Sequence, residues 1–151
     1  MASYRRRFSF EVVTPGGGIG RSEVVSVVFA ARDGMVGVLG GRAPMVAQLG
    51  TGAVLIEHAA GPKQVLLISG GFAQVRDNVL TILTERCTPA DQLDAEAVWD
   101  EIELARRMPA ETPEEQASRD DALAVARTRF SVVQKAVRLG RVPRSGGSGF
   151  D

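Results

Sequence analysis

The stretch PGGGIGRS, Pro15 to Ser22, has the glycine density of a phosphate-binding loop. Glycine lets successive backbone N–H groups cradle phosphate oxygens, and a lysine after the last glycine reaches the terminal phosphate. The chain contains no Gly-Lys pair. The dinucleotide fingerprint GxGxxG also fails in register, and no strand–helix context surrounds it. A hairpin loop is the reading that survives. Ser69-Gly70-Gly71 could hold a nucleophilic serine, but the hydrolase elbow GxSxG needs glycine where Leu67 stands. Its base would have to be His58, the one histidine of the chain. A tight turn between strands is expected at Ser69–Gly71. Cys87 is the one cysteine, so a disulfide within the chain and a cysteine-based zinc site are both excluded. Cys87 and His58 are read as a small packed residue and a loop residue. No metal site, cofactor site or catalytic set emerges.

Two charge runs remain. Glu96, Asp100, Glu101 and Glu103 read as the solvated face of a helix. Arg119, Arg127, Arg129, Lys135 and Arg138 make the next helix more basic toward its C-terminus, behind Asp120 and Asp121. That arrangement complements the helix macrodipole, and it also suits a basic arm that contacts an acidic protein surface. The chain therefore reads as an interaction protein.

The elements that would carry such surfaces follow from composition and periodicity. With 151 residues, 44% apolar and 24% charged, one large domain or a modest domain with an appendage is expected. Lys plus Arg equals Asp plus Glu, so net charge offers no case for nucleic acid or an anionic membrane. Glu11 interrupts the N-terminal apolar run too early for a secretory signal, and no run reaches the ~20 apolar residues of a membrane helix. If the protein works at a membrane, another protein brings it there.

The pattern changes near residue 88. Before it, Phe8, Phe10 and Val12 alternate with polar residues, as on one face of a strand. Glu23–Phe29, Ala53–Glu57, Val65–Ser69, Phe72–Arg76 and Val79–Thr84 are further strand candidates, with a tight turn at Asp77-Asn78. Short strands at this spacing predict an antiparallel sandwich or barrel. After it, Thr88-Pro89 is a candidate helix start. Ala95, Val98, Ile102 and Ala105 share one helical face. Pro109 and Pro113 bracket a break. From about Glu114, Leu123, Ala126, Phe130, Val133 and Val137 line a second helix, which predicts a two-helix hairpin. The seam is narrow and partly alanine, so the hairpin alone is expected to be marginal and to dock on the sandwich or on a partner. The tail GRVPRSGGSGFD reads as flexible.

Between strand candidates runs DGMVGVLGGRAPMV, Asp33 to Val46, with four glycines, one proline, six large apolar side chains and two charges. A loop so apolar suits a protein-facing surface: glycine permits close backbone approach, and interface cores are depleted in charge.

This loop, with LLISGGFAQVRDNVLTILTE (Leu66 to Glu85), resembles the epsilon subunit of F-type ATP synthases, called delta in mitochondria. Asp33-Gly34, Gly37-Val38-Leu39, Gly41 and Ala43-Pro44-Met45 match the family pattern EGxxGVLPGHAPL. Ser69-Gly70-Gly71-Phe72, Val75, Asn78 and Thr81-Ile82-Leu83 match SGGFxEVxxNxVTIL. FEVVTP and the two C-terminal helices agree in order, so the resemblance covers about residues 8 to 138. It implies a ten-stranded antiparallel β-sandwich followed by an antiparallel two-helix hairpin, with domains at 1–87 and 88–139 and a tail at 140–151. It implies a non-catalytic rotor subunit of a proton-translocating synthase, without cofactor or nucleic acid, between the gamma subunit and the c-ring. Arg42, Ala43, Pro44 and Met45 would lie near gamma, and Gly34 and Met35 toward the c-ring. Val98, Ile102, Leu123, Phe130 and Val133 would pack the hairpin. Arg127 and Arg129 would meet the alpha and beta subunits when the helices extend to inhibit ATP hydrolysis. Association with the cytoplasmic face of the bacterial inner membrane would come through the complex alone.

The departures are specific. Gly40-Gly41-Arg42 replaces Pro-Gly-His, and Met35 stands where some relatives carry an acid. Some bacterial members bind ATP through [IL]DxxRA. Leu93-Asp94 matches its start, but Ala97 occupies the arginine position, leaving Asp94 as a remnant. The rival function, a module that senses nucleotide in the hairpin, lacks the cation that a triphosphate needs.

Overall fold

A computed structural model of the chain describes residues 6–139. The chain divides into two compact units at the Pro89–Ala90 bond. The predicted tail, 140–151, lies outside the described residues.

The first unit is built from β1 (Phe8–Thr14), β2 (Gly17–Ala31), β3 (Gly34–Leu39), β4 (Met45–His58), β5 (Gln64–Arg76), β6 (Val79–Leu83) and β7 (Cys87–Pro89). The alternation at the N-terminus becomes β1, with Phe8, Phe10 and Val12 buried. The strands lie in the order β1-β6-β5-β4-β2-β3, and β1 also pairs with β2, which closes five strands into a ring. Closure removes most of the unpaired backbone edge that an open sheet would expose. Phe10, Phe29, Ile56, Leu66, Ile68, Leu80 and Ile82 fill its interior.

Three sequence expectations change here. The described residues form seven strands, not ten. β2 runs unbroken while one side of it pairs first with β1 and then with β3. β5 likewise serves β7 and then β6 along one side. Long strands that change neighbours along their length do the work of two short ones. The sheet is also not wholly antiparallel: β1 runs parallel to β6, from Ser9↔Val79 to Val13↔Leu83. A parallel pair needs a long connection, and nearly the whole unit separates these strands. Third, Ser69–Gly71 is no turn. The strand passes straight through it, with Gly70 at φ 73° and Gly71 at φ 112°. A side chain on Gly71 would collide with the backbone carbonyl of Leu83 on β6.

The glycine-rich loop 33–46 shrinks too. Gly34–Leu39 is strand β3, and only 40–44 crosses without regular structure. The Pro15 segment is a tight hairpin: Thr14 faces Gly17, and Gly18 and Ile19 pair with Val13 and Val12. Asp77 and Asn78 both adopt left-handed backbone, φ 52° and 61°, as a two-residue hairpin turn requires.

The second unit holds a 3-10 turn (Ala90–Gln92), α1 (Ala95–Arg106) and α2 (Pro113–Arg138). Thr88-Pro89 does not start a helix; it lies in β7, bonded to Leu66 and Leu67 of β5. Sheet pairing outcompetes the local signal, and Asp94 caps α1 instead, accepting from the N–H groups of Glu96 and Ala97. Thr112 caps α2, with Pro113 in the first turn. The helices pack on each other. Ile102, Ala105, Leu123 and Ala126 form one buried cluster, with Phe130 and Met108 against it. Val132 and Ala136 are also buried, positions outside the predicted stripe. The 90–92 turn touches α2, so the apolar face of α2 is wider than one seam.

Candidate interaction surfaces

The 40–44 crossing is pinned rather than loose. Gly41 donates its N–H to Oδ1 of Asn78 at 3.1 Å. Arg42 folds back along its own turn, with Nη1 donating to the Gly37 carbonyl at 3.1 Å and Nε 2.9 Å from Sδ of Met45. Ala43 and Pro44 are exposed, and Met45, which opens β4, is half-buried. Leu39 and Val46 flank the crossing at 58% and 70% exposure. Sequence reasoning missed these two, although the pleat offers a signal. Val38 is buried, so its neighbour Leu39 must point outward.

Gly34 and Met35 start the strand that ends at Leu39. At about 3.3 Å of rise per residue, Gly34 lies about 17 Å and Met35 about 13 Å from Leu39 at the other end of the strand. Gly34 takes φ 127°, closing the turn with Asp33, and Met35 is 60% exposed. The structure therefore separates the two predicted contact groups to opposite ends of β3.

A third surface was not foreseen. Val13, Leu83 and Phe72 are register partners across β1, β6 and β5, and all three are exposed. They line an apolar cleft of about 430 Å³ together with Pro15 and Gly71.

On the helices, the rings of Trp99 and Phe130 sit 5.4 Å apart at 55°, and the Arg106 guanidinium lies 5.9 Å over Trp99. Of the predicted packing residues, Ile102 and Leu123 share the main cluster and Phe130 leans on it, while Val98 and Val133 are buried outside it. Arg129 pairs with Glu101 at 3.1 Å, although its buried Nε–H is not aimed at that oxygen and makes no hydrogen bond. Arg127 is exposed.

The candidate chemistry has no support in the geometry. Ser69 Oγ accepts the N–H of Arg86. His58 Nε2 is 2.9 Å from Gln64 Oε1. Burial pushes the Cys87 thiol up to about 11, the opposite of what a nucleophile needs. No group of three or more metal-ligating side chains occurs among the described residues. Asp94 is engaged as a helix cap. The nearby cleft, about 470 Å³ between Ala95, Glu96, Trp99, Asp100 and Phe130, presents two carboxylates and no cation. A triphosphate would be repelled there. No described helix is long and apolar enough to cross a membrane.

Comparisons with known proteins identify the family. Residues 7–90 match the family model for the β-sandwich domain of the ATP synthase delta/epsilon chain. The ATP synthase epsilon chain of Rhodopirellula baltica is 41% identical over 95 residues, 63% of this chain and 73% of that one. The Dichelobacter nodosus epsilon chain is 26% identical over 137 residues, 91% of this chain and 95% of its own length. Among solved structures, a chain of the Euglena gracilis mitochondrial ATP synthase (OSCP/F1/c-ring, by cryo-EM) superposes with a TM-score of 0.71 at 26% identity, over 90% of this chain and 84% of that one. With more than half of its length matched by the family model, the chain belongs to the epsilon-subunit family of F-type ATP synthases.

Proposed function

We propose that this chain is the non-catalytic central-stalk subunit that links gamma to the c-ring, held at the cytoplasmic face of a bacterial membrane through the complex alone. The observation that carries this reading is the separation of two exposed contact groups, each with apolar side chains, to opposite ends of β3. Arg42, Ala43, Pro44 and Met45, with Leu39 and Val46, would meet gamma. Gly34 and Met35 would face the ring. A subunit that transmits rotation must grip two partners through a stiff body, and a closed β ring with a pinned crossing supplies one.

The helices form the second domain, after the β unit that ends at Pro89. An antiparallel hairpin is supported by its contacts: position 99 meets 130 and 101 meets 129, so one helix descends as the other climbs. The seam is small and the basic face of α2 carries Arg127. This suits an arm that opens to contact the alpha and beta subunits and inhibit hydrolysis.

Affinity purification of the tagged chain from mildly solubilised native membranes, followed by mass spectrometry, tests the assignment. Recovery of alpha, beta and gamma with the c-ring supports it. A solitary chain, under conditions that keep the synthase intact, rejects it.

A further inference from the structure

The Arg42 crossing does not stand alone at its end of the β unit. Arg6 lies against it. A side chain on Gly40 would come within 2.6 Å of the Arg6 Cβ and carbonyl oxygen, and one on Gly41 would run into the Arg6 guanidinium. Asn78 ties the same place to two more segments. Its Oδ1 accepts from Gly41, its Nδ2 donates to the Arg7 carbonyl at 2.9 Å, and its own carbonyl accepts the Ser9 N–H at 3.1 Å. Asn78 sits in the β5–β6 turn, directly after Arg76 and Asp77. Three segments distant in sequence thus bring Arg6, Arg7, Arg42 and Arg76 to one end of the ring.

Two of the four arginines are in exposed ion pairs. Glu23 pairs with Arg7 at 3.2 Å and Asp77 with Arg76 at 3.6 Å, and all four side chains of these pairs are more than 60% exposed. Exposed pairs of this kind are screened and readily exchanged. Arg42 is held by a carbonyl and a thioether, both uncharged, and it forms no ion pair among the described residues. Gly40 and Gly41, lacking side chains, leave the room in which Arg6 lies over the crossing, close to exposed Ala43 and Pro44. Arginine with apolar surface is the composition of a protein interface, and a guanidinium fork matches a carboxylate through two parallel hydrogen bonds. The interspersed carboxylates and the chain's zero net charge argue against a polyanion or a lipid surface, which reward an unbroken positive field.

We propose that this four-arginine end receives an acidic segment of the protein that docks on the 42–45 crossing. The inference rests on the stalk reading, in which that protein is gamma.

The test uses the full-length chain and the purified gamma subunit of the same synthase, titrated between roughly 50 and 300 mM salt. An Arg6→Gln/Arg7→Gln/Arg76→Gln variant should bind at least about tenfold more weakly at low salt, with a flatter salt dependence. The matching Arg→Lys variant should keep the salt dependence, which separates charge from folding. Arg21→Gln, elsewhere on β2, should bind as the parent does. Equal affinity and equal salt slope for the Gln variant would overturn the inference while leaving the stalk reading intact. Failure of the parent chain to bind gamma at all would overturn both. Parent binding to phosphatidylserine vesicles that the Gln variant loses, with gamma affinity unchanged, would overturn it in favour of a lipid surface.

Discussion

The backbone N–H of Gly41 donates to Oδ1 of Asn78 at 3.1 Å, across 37 positions of sequence. This bond ties the exposed crossing 40–44 to the β5–β6 turn, and the other end of the same amide holds the Arg7 carbonyl. One asparagine side chain therefore ties the entry of β1 to the crossing proposed to meet gamma. Its backbone is left-handed, so substitutions separate the two roles.

Asn78→Gly keeps the left-handed backbone and removes both side-chain bonds. It should destabilise the chain by roughly 1–3 kcal/mol, since each of the two hydrogen bonds contributes about 0.5–1.5 kcal/mol. Asn78→Ala adds the cost of a left-handed alanine, roughly 1 kcal/mol more. Urea unfolding midpoints check both, and equal midpoints for the two variants would reject the strain contribution.

Gly71→Ala and Gly61→Ala both place a Cβ at positive φ, 112° and 97°. Only the first meets an obstacle, the Leu83 carbonyl of the neighbouring strand; the second meets nothing within 4 Å. Gly61→Ala should cost on the order of 1 kcal/mol. Gly71→Ala should cost on the order of 3 kcal/mol or prevent folding, because β5 and β6 must part. Thermal unfolding of the pair decides, and a similar loss in both would remove the steric argument.

In the second unit, Phe130→Asp puts a carboxylate where the Trp99 ring and the Ile102 cluster now pack. Amide exchange in α1 should accelerate by at least about tenfold, while exchange in the β unit stays put. Unchanged protection in α1 would show that Phe130 contributes little to the packing.

Cys87 supplies a pH test. Burial raises its thiol from the ordinary 9.0 to about 11. The folded chain holds the proton where the unfolded chain has lost it. The stability contributed is therefore full below pH 9 and is lost as the pH rises from 9 through about 11. At pH 8 the folded chain should react with iodoacetamide far more slowly than the urea-unfolded chain, because the thiolate is the reactive form. Equal rates would mean that the thiol is not shielded.

Asp94→Ala removes a helix cap and should cost about 1 kcal/mol of stability. If the Asp94 carboxylate is a cap and nothing more, calorimetry with ATP should show no binding in either the parent or the variant. Saturable heat in the parent that Asp94→Ala abolishes would revive the nucleotide-sensing alternative.

Much of this was legible along the chain. Phe8, Phe10 and Val12 announced their strand by alternation, and Val98, Ile102 and Ala105 announced their helix face by steps of three and four. Asp77-Asn78 declared a two-residue turn through residues that tolerate left-handed backbone. These are local properties, set by side-chain period and backbone sterics within a few residues. Ser69-Gly70-Gly71 misled because glycine at positive φ serves a turn and a bend equally well. Only the nearness of the Leu83 carbonyl shows which one is built. Thr88-Pro89 misled because its cap signal was weaker than the ladder offered by β5.

The sequence by itself determined the two classes of element and the family. Each of those rests on which residue types are present and how they are spaced. Tertiary structure alone decided the ring closure by β1 and the parallel β1–β6 pair. It alone aligned Val13, Leu83 and Phe72 into an exposed stripe and gathered Arg6, Arg7, Arg42 and Arg76 around Asn78. The reason is physical: partners far apart in the chain meet only through strand order and register, and no local period encodes which strand lies beside which.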